Sequence, residues 1–183
     1  GLVRRAAAMT TRRRFLHAAG AIALAGCALP AARASRGRVV VIGGGYGGAT
    51  AARYLREWSG GAVGVVLVER DPAFVSCPMS NLVIGGTKSL ADITYGYDAL
   101  ARRGVRVVHD VATAVDAARH TVTLQNGDAL RYDRLIVSPG IDFIWDALPS
   151  FADARMRAKY PHAWKAGPQT IALRTQLASM RAG

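Results

Sequence analysis

The stretch Arg38-Val39-Val40-Val41-Ile42-Gly43-Gly44-Gly45-Tyr46-Gly47-Gly48-Ala49-Thr50-Ala51-Ala52-Arg53-Tyr54-Leu55-Arg56 decides the fold. Four consecutive β-branched residues ahead of a glycine cluster read as a strand buried on both faces, and the Ala-rich run behind the cluster reads as a helix. Gly43, Gly45 and Gly48 fit GxGxxG in the context that this motif needs, strand then tight turn then helix. Gly43 permits the turn, Gly45 lets a pyrophosphate approach the backbone, and Gly48 lets the helix pack closely on the strand. Gly47 belongs to the same turn and is grouped with them as a cofactor contact. The helix start offers unpaired N–H groups and a partial positive charge to phosphate.

A glycine turn alone is weak evidence, and the discriminating feature is an acid at the end of the next strand, roughly 20 residues on. Val63-Gly64-Val65-Val66-Leu67-Val68 forms that strand and Glu69 ends it. A carboxylate there accepts hydrogen bonds from ribose hydroxyls and repels a 2′-phosphate, which argues for FAD or NAD over NADP; the neighbouring Arg70 leaves a small opening for the phosphorylated form. Together these features predict an α/β, Rossmann-like domain.

Upstream of the strand the texture differs. The chain has 183 residues and a formal net charge of +12, and six arginines of residues 1–34, with no acid among them, account for half of that excess. Thr10-Thr11-Arg12-Arg13-Arg14-Phe15-Leu16 is followed by a weakly apolar Ala/Gly-rich stretch to Pro30 and then Ala32-Arg33-Ala34. Basic, apolar and small-residue segments in that order make an export signal, and its Arg-Arg-x-Phe-Leu pattern is similar to twin-arginine signals. Residues 1–34 are thus expected to direct the protein to the periplasm, with Met9 a plausible start and residues 1–8 an upstream extension. Leu24-Ala25-Gly26-Cys27 is also similar to a lipoprotein cleavage site, which would leave a lipid-anchored form on Cys27. No apolar run reaches the roughly 18 to 20 uncharged residues that span a bilayer, and the charge distribution gives no reason to expect a nucleic-acid partner.

Downstream, Val105-Arg106-Val107-Val108-His109 and Thr121-Val122-Thr123-Leu124 are strand-like, and Asn126-Gly127 is a hairpin signal before Leu130-Arg131-Tyr132. Tyr132-Asp133-Arg134-Leu135-Ile136-Val137-Ser138-Pro139-Gly140 then resembles the second fingerprint of flavoproteins built from two dinucleotide-binding domains, the pyridine nucleotide-disulfide reductase-like superfamily. That resemblance favours FAD over NAD and implies that Pro139 and Gly140 pass near the nucleotide.

A narrower resemblance rests on Phe74-Val75-Ser76-Cys77-Pro78-Met79-Ser80-Asn81, Tyr95-Gly96-Tyr97-Asp98, Gly104-Val105-Arg106-Val107-Val108-His109-Asp110, Ser138-Pro139-Gly140-Ile141-Asp142 and Pro161-His162-Ala163-Trp164-Lys165-Ala166-Gly167-Pro168. These segments resemble the flavoprotein subunit of flavocytochrome c sulfide dehydrogenase, from about Gly37 to the end of the chain. The resemblance implies a covalent FAD held by Cys77 through the flavin 8α-methyl group. It also implies sulfide as the small-molecule substrate and a c-type cytochrome subunit as electron acceptor. A thiolate nucleophile suits such an attachment, although from composition alone a single Cys after a strand is more often a small buried hydrophobe, and a disulfide with Cys27 is a further option. His109 and Asp110 could approach the adenine, and His162, Trp164 and Lys165 could line a flavin or partner surface or simply pack a connector. No Cys/His spacing predicts a metal site or an attached haem.

The resemblance also implies two parts absent from this sequence, a redox-active cysteine pair and a late Gly-Asp segment of the FAD site. No catalytic residue is therefore assigned, and the sequence reads as an N-terminal fragment, inactive alone. Residues 35–144 are expected to form the N-terminal part of the FAD domain, and residues 145–183 a connector entering a second, truncated dinucleotide-like domain. Two alternatives stay open, a sulfide:quinone oxidoreductase and a nonenzymatic FAD- or NAD-binding module.

Overall fold

The computed structural model describes residues 36–181. The export segment, Cys27 and the cleavage position after Ala34 lie outside the described residues.

Strand β1 (Arg38–Ile42) enters the glycine turn, and helix α1 (Tyr46–Trp58) leaves it. The chain returns through β2 (Gly64–Val68), makes a small antiparallel pair from β3 (Ala73–Val75) and β4 (Thr94–Gly96), and enters β5 (Arg106–Val108). Between β3 and β4 lie a 3-10 turn (Cys77–Met79) and the short helix α2 (Ser80–Ile84), and α3 (Asp98–Arg102) follows β4. An antiparallel meander of β6 (Ala112–Asp116), β7 (Thr121–Leu124) and β8 (Ala129–Arg131) precedes β9 (Arg134–Val137). The connector folds as α4 (Pro149–Ala152), α5 (Ala154–Lys159) and α6 (Pro168–Ser179).

The main sheet is wholly parallel, in the order β5-β2-β1-β9. Its two faces carry separate cores because side chains alternate along a strand. Val39, Val41, Val65 and Leu67 pack with Ala52 of α1, Tyr97 and Val105 on one face. Val40, Val66 and Val68 pack with Val122, Leu124 and Leu130 of the meander on the other. Helix on one side and meander on the other explain why β1 and β2 read as unbroken apolar runs. Val40, Val41 and Leu67 are fully buried, each contributing about 1.5–3 kcal/mol of transfer free energy.

The sequence expectation for the elements holds at β1, α1, β2, β5, β7 and β9, and the Asn126-Gly127 turn joins β7 to β8 with Gly127 at φ +91°. The strands β3, β4 and β6 were not expected. β6 (Ala-Thr-Ala-Val-Asp) carries only one strongly β-forming apolar residue, Val115, which is exposed, so pairing to β7 and not its own pattern holds it in place. A third cluster, Val83, Ile93 and Ala166, ties α2 and the β4 approach to the connector, with Val75, Cys77 and Met79 packed around it.

Candidate functional site

The strand order reverses at β1: its successors β2 and β5 lie on one side and β9 on the other. In open α/β sheets such a switch point, at the carboxyl ends of the strands, is where a ligand fits, because the following loops diverge there. The glycine turn after β1 and the Ser138-Pro139-Gly140 turn after β9 meet at that point. Ser138 N–H donates to the Ile42 carbonyl at 2.8 Å, and Gly43 N–H to the Val68 carbonyl at 2.9 Å.

Each glycine answers to a different neighbour. Gly43 has φ +97°, and a Cβ on it would lie 2.1 Å from the Ser138 carbonyl oxygen, so the β9 turn packs against its bare Cα. A Cβ on Gly48 would lie 1.8 Å from the Gly43 carbonyl oxygen and 3.2 Å from Val41 Cγ1, which sets α1 directly on β1. A Cβ on Gly47 would lie 2.7 Å from Ser138 Oγ. Gly45 is different, since a Cβ there would meet only Phe74 at 3.6 Å, and Gly140 has open space around it. Gly45 and Gly140 are therefore accessible to a ligand, whereas Gly43, Gly47 and Gly48 set the cradle; Pro139 forms its wall beside Gly43.

The cradle fits a dinucleotide. No side chain caps α1 at Gly45 and its first turn holds no acid, which leaves positive N–H groups for a pyrophosphate. Glu69 is half-buried beside the turn, its Oε2 accepting the Gly44 N–H at 2.6 Å and its Oε1 the Asp71 N–H at 3.0 Å. A carboxylate has about four acceptor positions, so two bonds leave capacity for ribose hydroxyls. Arg70, the cation next to Glu69, is turned toward Asp71 at 3.5 Å and Asp142 at 3.3 Å, which leaves its charge paired and not offered to a 2′-phosphate.

Cys77 opens the 3-10 turn after β3 as a half-buried free thiol. Its neighbour Ser76 is fully buried and hydrogen-bonds through Oγ to the Tyr46 hydroxyl at 2.5 Å, while the Tyr46 ring meets Phe74 edge-on at 4.9 Å. The Cys77 loop is thereby fastened to the first residue of the phosphate-turn helix. From the other side, the Ala166 N–H donates to Cys77 Sγ at 3.4 Å, bringing the Lys165-Ala166-Gly167 connector onto the thiol.

Asp142 joins these parts, binding Lys165 Nζ at 3.1 Å as well as Arg70. The Phe143 N–H, then Lys165, then Arg70 hold its carboxyl down to about 2. His162 packs against Phe143 and Trp145, its Nδ1 buried without a partner among the described residues; burial first, then Lys165, lower its basicity. Trp164 points outward, 74% exposed. His109 sits against the Tyr97 ring and Asp110 accepts from Val111 and Asn126, so both make local contacts. No cluster of metal-ligating side chains occurs among the described residues.

Sequence reasoning missed Tyr97. It is buried, and its hydroxyl donates to the Gly44 carbonyl at 3.2 Å beneath the glycine turn. Burial first, and then the charges of Glu69 and Asp71, push its phenol above the usual tyrosine range. Asp142 has no sequence signature either, because charge pairs across distant segments leave no local pattern.

The profile of the pyridine nucleotide-disulphide oxidoreductases matches residues 37–160. Over 46 residues the chain is 56% identical to a sulfide dehydrogenase (flavocytochrome c) flavoprotein chain from Chlorobaculum thiosulfatiphilum, covering 25% of this chain and 94% of that one. It is 29% identical over 109 residues to the mitochondrial sulfide:quinone oxidoreductase of Dictyostelium discoideum, covering 60% of this chain and 24% of the relative. Among solved structures, the sulfide:quinone oxidoreductase of Aquifex aeolicus superposes with TM-score 0.65 at 23% identity, over 77% of this chain and 31% of that one. The chain thus spans about a quarter to a third of the length of the two quinone-linked proteins.

Proposed function

The chain belongs to the pyridine nucleotide-disulphide oxidoreductase family, and from that membership we propose that it is the FAD-holding part of a sulfide-oxidising flavoprotein of the flavocytochrome c type. The observation that carries this reading is the convergence of the glycine turn, Glu69 and the Ser138-Pro139 turn at the switch point, with the Cys77 loop tied to the same helix start through Ser76 and Tyr46. The 56% identity to a sulfide dehydrogenase flavoprotein chain supports the choice of substrate.

The residues divide the work by position. The start of α1 would receive the pyrophosphate and Glu69 would accept hydrogen bonds from the adenosine ribose. Cys77 is the thiol that would hold the isoalloxazine by a thioether, and the Ala166 N–H, directed at Sγ, keeps the sulfur in place against the connector. FAD, when bound, supplies two-electron acceptance from a reduced sulfur donor and one-electron delivery to a haem partner. Pro139 packs beside the Gly43 backbone and so holds the β9 turn against the cradle, and Asp142 pairs with Lys165 of the connector that meets Cys77.

A c-type cytochrome subunit is the proposed acceptor, and periplasmic export by the twin-arginine signal of residues 1–34 suits a protein that must leave the cytoplasm loaded with cofactor. Similarity to quinone-linked relatives supports a second reading, delivery to quinone. Anaerobic addition of sulfide to the full-length protein should bleach the flavin absorbance. Recovery on adding oxidised c-type cytochrome supports the first reading, recovery only with quinone the second, and no bleaching would refute both.

A further inference from the structure

We infer that Tyr97 is a positioning residue for the dinucleotide pyrophosphate, orienting the central peptide of the glycine turn so that the Gly45 N–H faces the ligand. The inference rests on the turn being the FAD phosphate site.

Tyr97 lies between β4 and α3, at the N-cap of that helix and far in sequence from the turn, yet its ring lies directly against Gly44. A Cβ on Gly44 would fall 2.6 Å from the Tyr97 hydroxyl oxygen and 2.7 Å from two ring carbons. Gly44 is therefore glycine because of Tyr97, a demand that GxGxxG itself does not make of this position. The body of the ring belongs to the core face formed by Val39, Val41, Ala52, Val65, Leu67 and Val105, which leaves it one orientation.

The hydroxyl donates to the Gly44 carbonyl at 3.2 Å, while the Glu69 carboxylate accepts the Gly44 N–H at 2.6 Å. Gly44 is thus gripped at both of its polar atoms. The Gly44 carbonyl and the Gly45 N–H belong to one peptide unit, which is planar and trans, so the two bonds point in opposite directions. A carbonyl drawn toward the core by Tyr97 turns the Gly45 N–H outward, at the very position where the space for a Cβ is open except for Phe74. Without that bond the Gly44-Gly45 peptide, flanked by residues that carry no Cβ, is free to rotate, and ordering it falls on ligand binding. The phenol is suited to the task because burial and the nearby carboxylates keep it protonated, hence always a donor.

The test uses the full chain carrying Cys77→Ser, so that flavin can be removed, with and without Tyr97→Phe, which keeps the ring packing and deletes only the hydroxyl. ADP and adenosine are titrated into the flavin-free proteins. The ADP dissociation constant should rise about 3- to 10-fold in the Tyr97→Phe protein, the scale of one neutral hydrogen bond. Adenosine, which has no phosphate, should change by less than about twofold. Unchanged ADP binding, or equal losses for ADP and adenosine, would overturn the positioning role and leave Tyr97 a packing residue. Failure of the Cys77→Ser protein itself to bind ADP would instead refute the phosphate-site reading on which the inference rests.

Discussion

Adding one methyl group at Gly48 and one at Gly45 separates the glycine that builds the cradle from the glycine that serves the ligand. In the Gly48→Ala protein the new Cβ would start 1.8 Å from the Gly43 carbonyl oxygen, whereas ordinary C···O contacts begin at about 3.3 Å. α1 must then withdraw by roughly 1.5 Å from β1, through an interface as densely packed as an organic crystal. Ala52 and Val41, both fully buried there, would lose contact. Crediting about 1 kcal/mol for replacing a helical glycine by alanine against an overpacking cost of about 3 kcal/mol, the upper end of the usual range, the net loss should be about 2 kcal/mol. In the Gly45→Ala protein the Cβ meets only Phe74 at an ordinary 3.6 Å, with φ at −69°, so stability should change by less than about 1 kcal/mol. Its methyl nevertheless lies at the helix start where the pyrophosphate approaches, and FAD affinity should fall at least about tenfold, the effect of losing one well-placed phosphate contact. Urea unfolding of the flavin-free proteins in a Cys77→Ser background, followed by circular dichroism, with flavin titration in parallel, reads both quantities. A Gly48→Ala protein as stable as its parent, or a Gly45→Ala protein that binds FAD normally, would refute this division of labour.

Three further outcomes are expected. Glu69→Gln keeps the shape of the side chain but removes the charge that accepts the Gly44 and Asp71 N–H groups, so FAD should dissociate about 10- to 100-fold more readily in a Cys77→Ser background, as read by fluorescence titration. Ultraviolet titration should leave one of the six tyrosines un-ionised in the folded protein well above pH 10, and that signal should disappear in Tyr97→Phe. Because the raised phenol favours the neutral form, its stabilising contribution is complete below the unfolded value near 10 and declines as pH rises beyond it. For Asp142 the sign is opposite: its contribution is present above the unfolded value of about 3.9 and is lost as pH falls through about 2. An NMR titration of its carboxyl carbon should report that midpoint, and Lys165→Ala should raise it.

The parallel sheet was legible because β1 and β2 are buried on both faces, so every position from Val39 to Ile42 and from Val65 to Val68 had to be apolar. Glu69 was legible for the same reason, as the first polar residue after such a run. The β3–β4 pair was not, since its strands are three residues each and register comes from tertiary contact. The glycines were only partly legible. Their spacing announced the turn, but whether a given Cα is bare for the sake of a neighbour or of a ligand depends on Ser138, Tyr97 and Phe74, which lie far away in sequence. The contact of Ala166 with Cys77 is equally nonlocal, and it connects two segments that sequence alone could associate only through family resemblance.

The covalent role of Cys77 is tested most directly by the fate of the flavin when the purified full-length protein is precipitated with acid and digested. The flavin should remain with the protein and appear, by mass spectrometry, on the peptide that contains Cys77, and it should pass into the supernatant once Cys77 is replaced by Ser. Free FAD released from the unsubstituted protein would contradict the covalent role of Cys77, and a protein purified with no flavin at all would contradict the account as a whole.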